Sequence, residues 1–74
     1  MGRMSNISPL RMIRALLRLG WEVDRISGSH HVLVKPGHQP ITVPVHKGRP
    51  LKEGTARSIL KWAGLSEDEF FEAY

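Results

Sequence analysis

Few residues in this chain of 74 could do chemistry, and four of them stand together as Gly28-Ser29-His30-His31. Histidine side chains titrate near pH 6.5 in general, so they can take or give a proton at neutral pH. A serine can act as a nucleophile when a base and an oxyanion hole serve it. Ser29 follows a glycine in a tight-turn pattern, where serine more often serves the backbone. His30 opens a run of β-branched residues. It reads either as a proton-transfer group at the mouth of a turn or as a polar residue on an exposed sheet face. His31 would point the opposite way, because successive strand residues alternate between faces. For the same reason His30 and His31 cannot readily hold one ion. His38 and His46 add no cysteine or carboxylate at ligand spacing, so neither a metal nor a cofactor is expected.

Charge is the second chemical signal. Eleven Lys and Arg oppose seven Asp and Glu, a net +4. The signs are segregated. Residues 1–61 hold every base against only Glu22, Asp24 and Glu53, leaving +8, and residues 62–74 hold four acids and no base, leaving −4. A basic body suits a polyanionic partner, most often nucleic acid, through phosphate attraction and counterion release. Arg11, Arg14 and Arg18, at i, i+3 and i+7, stripe one helix face. Lys35, Lys47, Lys52, Arg57 and Lys61 could add to the same field. A solvated helix surface would carry the same pattern.

These residues need elements to hold them. Ser8-Pro9 is a helix start: a hydroxyl at the N-cap, then a proline whose missing N–H is no loss at the first helical position. Leu10, Ile13, Leu16 and Leu17 follow as an apolar face, and Gly20 ends the helix. From Trp21 the period becomes two. Residues 21–26, 30–35 and 41–45 read as strands, joined by a turn at 27–29 and a hairpin loop at 36–40. Pro44 cannot donate to a ladder, so the third strand belongs at an edge or a bulge. Ala56, Ile59, Leu60 and Ala63 make a second helical face closed by Gly64. Ser66-Glu67-Asp68-Glu69 has capping-box spacing and opens a short last helix, with its acids suited to the helix dipole. The fold class expected is α+β, in the order α-β-β-β-α. Two helices lie on one face of a three-stranded antiparallel sheet, with the short C-terminal helix as an appendix.

A chain this short buries roughly 60% of its unfolded surface and is stabilised by only a few kcal/mol. Without cysteine there is no disulfide framework. No apolar run approaches the 18–20 residues of a membrane span, and no signal-peptide pattern follows Met1, so a cytoplasmic location is expected. Low-complexity segments and internal repeats are lacking. Residues 1–7 are polar and aperiodic and read as a flexible lead-in. Residues 8–65 form the domain, and residues 66–74 form an acidic C-terminal helix.

Several stretches, taken in order, resemble the HicA-type toxins of bacterial type II toxin–antitoxin systems. They are Leu19-Gly20-Trp21, Arg25-Ile26-Ser27-Gly28-Ser29-His30-His31, Val43-Pro44-Val45-His46, and the run from Leu51-Lys52-Glu53-Gly54-Thr55 through Ala63-Gly64-Leu65. The resemblance covers about residues 8–65 and leaves the acidic tail outside. It implies a double-stranded-RNA-binding-domain-like fold and a metal-independent endoribonuclease that cuts mRNA, neutralised by a HicB-type antitoxin that covers the active-site region. The family's functional histidine corresponds to His30 and its turn glycine to Gly28. His31 and Ser29 are lesser candidates.

In such chemistry His30 would take the proton from a ribose 2′-OH, while main-chain N–H groups near Gly28 and nearby cations hold the phosphate. His31 and His46 are the two candidates for the acid. Arg11, Arg14, Arg18, Lys35, Lys52, Arg57 and Lys61 become an RNA-facing or antitoxin-facing set, and a monomer is favoured. The alternative from another class is a non-catalytic RNA-binding module of the same fold, which needs the cations but not His30.

Overall fold

The computed structural model describes residues 2–74. Its first helix, α1 (Pro9–Arg18), starts where the sequence says it must. The Ser8 hydroxyl accepts from the Arg11 N–H at 3.3 Å, and Pro9 takes the first helical position. Three strands follow: β1 (Glu22–Ser27), β2 (His30–Val34) and β3 (Ile41–Pro44). They form an antiparallel meander in the order β1-β2-β3. Pro44 therefore closes an edge strand, where a missing N–H is tolerated. The helices α2 (Glu53–Ala63) and α3 (Glu67–Ala73) complete the α+β fold.

One face of the sheet is covered by α1 and α2, and α3 packs on α1. Leu33, Ile41 and Val43 supply the covered face, and Ala56, Ile59, Leu60 and Ala63 meet them from α2. Strand β1 is exposed along its whole length. Its pairing with β2 slips at Asp24, between Val23 and Arg25, which adds twist to this outer edge. No helix among the described residues is long and apolar enough to cross a membrane.

Two expectations change. The buried side of α1 is Pro9, Met12, Ile13, Ala15 and Leu16, whereas Leu10 and Leu17 are 53% and 43% exposed. The helix has two neighbours, sheet and α3, so its buried arc turns toward Met12 and Ala15 and leaves Leu10 and Leu17 outside. The second change is at the N-terminus, which the sequence presents as a loose lead-in. Met4 and Ile7 are buried in the core, and Ile7 bridges Leu51, whose N–H donates to the Ile7 carbonyl at 2.8 Å. Two apolar residues three apart in a turn carry no periodic signal, yet they close the core beneath α2.

The acidic tail is part of the same core. Phe70 is fully buried and Ala73 nearly so. Phe70, Phe71 and Tyr74 stack in a cluster with ring centroids 4.9–5.7 Å apart. Ser66 and Glu69 form the full capping box, which holds the Glu69 carboxyl below the usual range through hydrogen bonds from the Ser66 N–H and hydroxyl. Because the folded carboxyl titrates lower than the unfolded one, this contribution is present at neutral pH. It is lost as pH falls through the folded-state value. Ser66→Ala is expected to cost about 1 kcal/mol, lowering the thermal midpoint by roughly 4–8 °C for a domain of this size. Thermal melts at pH 7 and pH 3 check it. The two proteins should differ at pH 7, and the difference should narrow without vanishing on acidification, because the Ser66 hydroxyl accepts the Glu69 N–H whatever the charge on the carboxyl.

Candidate functional site

The turn between β1 and β2 is two residues long, Gly28 and Ser29, with Ser27 and His30 as its closing pair. Gly28 has φ 58°, and Ser29 is not left-handed, the pattern of a type II′ hairpin. A Cβ at Gly28 would meet nothing within 4 Å. The position therefore needs glycine for its backbone angle and not for space. That turn sets the register of β2, and the register decides which histidine faces where.

In the ladder His30 stands between Ser27 of β1 and Pro44 of β3, and His31 between Ile26 and Val43. Val43 lies in the core, so His31 points to the helix-covered face. It is half-buried there, with Nδ1 enclosed and without a hydrogen-bond partner. His30 is exposed on the opposite, open face. A ligand that reaches one imidazole from that face does not reach the other. The Ser29 carbonyl accepts the Val45 N–H at 2.6 Å.

The cations read from the sequence do not form one field. Arg11 stacks over the Tyr74 ring, 3.9 Å from its centroid, and donates to the Tyr74 main-chain oxygen at 3.0 Å. Arg18 donates to the Ala73 carbonyl at 2.6 Å. Two members of the stripe thus hold α3 against α1, as cations at a helix C-terminus do. Arg14, between them, lies exposed on the same helix. The Lys35 ammonium donates to the Leu19 carbonyl at 2.9 Å, at the end of the sheet away from the Gly28 turn. Arg57 is paired with Glu53 at 2.8 Å. Lys61 is exposed near the end of α2. Arg3 meets Asp68 at 2.9 Å and stacks on Phe71.

Lys52 is different. It is the N-cap residue of α2, exposed, and closes the 45–52 segment, which also carries His46, Lys47 and Arg49 and no acid. Among the described residues none of Lys47, Arg49 and Lys52 has an ion-pair partner; the next carboxylate, Glu53, is taken by Arg57. Beneath the segment lies a cleft of about 340 Å³, lined in part by Pro44, His46, Arg49, Lys52 and Thr55. Pro44 is the direct cross-strand neighbour of His30. The cleft, which Pro9 and Leu51 also line, joins the end of β3 to the starts of α1 and α2, and the unpaired cations of the 45–52 segment follow the strand end that pairs with His30.

Sequence reading missed two members of this neighbourhood. Arg25 pairs with Val32 on the open face, two residues along β2 from His30, and among the described residues its one ion pair is an exposed contact with Asp24 at 3.3 Å. Arg49 was overlooked although the Lys47-Gly48-Arg49-Pro50 run is the densest basic stretch without an acid. Among the described residues no three His, Cys, Asp or Glu side chains gather to hold a metal ion.

Comparison with known proteins adds one finding. A family model described as HicA toxin of bacterial toxin-antitoxin matches residues 11–65. That span runs from within α1 to just past α2, includes the Gly28 turn and the 45–52 segment, and stops before α3. No curated protein matches the chain.

Proposed function

The chain belongs to the HicA toxin family of bacterial toxin–antitoxin systems, and we propose that it is an endoribonuclease that cleaves mRNA without a metal ion, with His30 as general base. The observation that carries this reading is the position of His30. It is exposed on the open sheet face and pairs with Pro44, the last residue of β3, from which the 45–52 segment and its unpaired cations follow.

The chemistry suits that arrangement. A ribose 2′-OH is a poor nucleophile until its proton is taken, and a neutral imidazole within hydrogen-bond reach takes it as the oxygen attacks the adjacent phosphorus. Negative charge then grows on the phosphoryl oxygens. Cationic side chains already in place offset it without reorganising. Arg25 on the same face and the 45–52 segment beside it supply those cations. Single-stranded RNA fits better than a duplex, since the 2′-OH must swing in line with the leaving oxygen. A HicB-type antitoxin would silence the toxin by covering the same open face.

The test is digestion of a long single-stranded RNA by the purified protein in excess EDTA. Fragments are expected, at the same rate as with magnesium present. RNA left intact in EDTA and cut on adding magnesium would overturn the metal-free chemistry. RNA retarded on a gel but never cut would return the protein to a binding module.

A further inference from the structure

The reaction proposed above lacks an acid. When the 2′-oxygen attacks phosphorus, the bond from phosphorus to the 5′-oxygen of the next nucleotide breaks. That oxygen leaves as an alkoxide unless a proton reaches it. His31 is one of the two sequence candidates, but the ladder puts it on the covered face with Val43, away from His30.

The other candidate is placed by the register of β2 and β3. His30 pairs with Pro44. One step further the Val45 N–H donates to the Ser29 carbonyl at 2.6 Å, so the antiparallel alignment continues past the end of β3. His46 follows directly and lines the same cleft as Pro44, the cross-strand partner of His30. Burial agrees: Ile41, Val43 and Val45 face the core, whereas Thr42, Pro44 and His46 face out. His46, exposed like His30 and two residues beyond its cross-strand partner Pro44, continues the outward alternation of Thr42 and Pro44. Two long side chains so placed can flank one phosphate. Gly28, in the turn that precedes His30, has no side chain and open space around it. The cleft beside them is walled by His46 itself, with Arg49 and Lys52.

We propose that His46 is the general acid of the reaction and that the cleft it shares with Arg49 and Lys52 is the subsite for the scissile phosphate. This inference rests on the ribonuclease reading. The step balances. His30 accepts the 2′-OH proton, the 2′-oxygen bonds to phosphorus, the bond to the 5′-oxygen breaks, and protonated His46 gives its proton to that oxygen. The products are a 2′,3′-cyclic phosphate and a 5′-hydroxyl, with no external oxidant or reductant.

The experiment compares two oligonucleotides cut at one bond, mapped first with wild type. In the first the scissile bond is normal; in the second a 5′-bridging sulfur replaces the leaving oxygen. A thiolate leaves without a proton, so loss of the acid should not matter for the second substrate. His46→Ala is expected to cut the normal oligonucleotide about 10²- to 10⁴-fold more slowly than wild type, and the sulfur-bridged one within about tenfold of wild type. His30→Ala should be slow on both. Arg49→Ala should weaken cleavage of both equally, which separates lost charge from a lost proton. His46 is exposed, so its removal leaves the core intact, and a matching thermal midpoint verifies that. Equal loss on both substrates, or no loss on either, overturns the assignment. If wild type cuts neither, the ribonuclease reading itself falls and takes this one with it.

Discussion

Replacing His30 by alanine should slow RNA cleavage by about 10²- to 10⁴-fold, the usual contribution of a positioned general base. The binding of RNA should remain nearly unchanged. The reason is positional. His30 is exposed on the open face, held by the ladder between Ser27 and Pro44, and lies outside the buried core. Its loss therefore removes a proton acceptor and leaves the cations of the 45–52 segment where they were. In kinetic terms kcat falls and KM holds, the signature of a group that acts only in the transition state. In cells, expression without an antitoxin should stop growth for wild type and not for His30→Ala. A folded variant that still cut RNA at the wild-type rate would remove His30 from the chemistry.

The second large effect concerns folding. Phe70→Ala should cost about 3–5 kcal/mol, as large as the whole stability expected for a chain of this length. Phe70 is fully buried and touches both other aromatic rings of the tail. Around it Arg11, Arg18 and Arg3 tie α3 and its flanks to α1 and to the N-terminal turn. The exposed Arg3–Asp68 pair contributes little, and the two arginine bonds to main-chain oxygens assist, but burial of the phenyl ring is the largest single contribution to the attachment. Urea denaturation followed by tryptophan fluorescence should show the variant largely unfolded at 37 °C, because Trp21 reports on the core it shares with Phe70. A urea midpoint close to that of wild type would mean α3 is dispensable. The result bears on function as well. The family match ends at Leu65, yet the core of this chain takes in Phe70 and Ala73 of α3, the helix beyond that point.

How much of this was legible in the sequence depends on the range of the interactions involved. Ser8-Pro9, Gly28 and the Ser66–Glu69 box are local devices, complete within four residues, and each is found where the sequence puts it. The alternation of β2 separated His30 from His31 correctly, since a period of two needs no partner strand to be read. What failed was long range. Nothing near Leu10 or Leu17 says that α3 will draw the buried face of α1 toward Met12 and Ala15. Met4 and Ile7 have no pattern at all until Leu51 arrives to pair with the second of them. The arginine stripe is a true stripe, but spacing along a helix cannot tell that Arg11 and Arg18 will be taken up by main-chain oxygens 63 and 55 residues away. His46 is the instructive case. Its type was noticed, but its face depends on the β2–β3 register, which hangs on where the loop between those strands closes.

One measurement bears most directly on the central claim, that two open-face histidines and a loop of unpaired cations cut RNA by attack of its own 2′-oxygen. It is the chemistry of the new ends in the EDTA digest. Fragments carrying a 2′,3′-cyclic phosphate on one side of each cut and a 5′-hydroxyl on the other are the expected result. Fragments carrying a 5′-phosphate and a free 3′-hydroxyl would mean that water, and not the ribose, attacked the phosphorus, and would contradict the role given to His30.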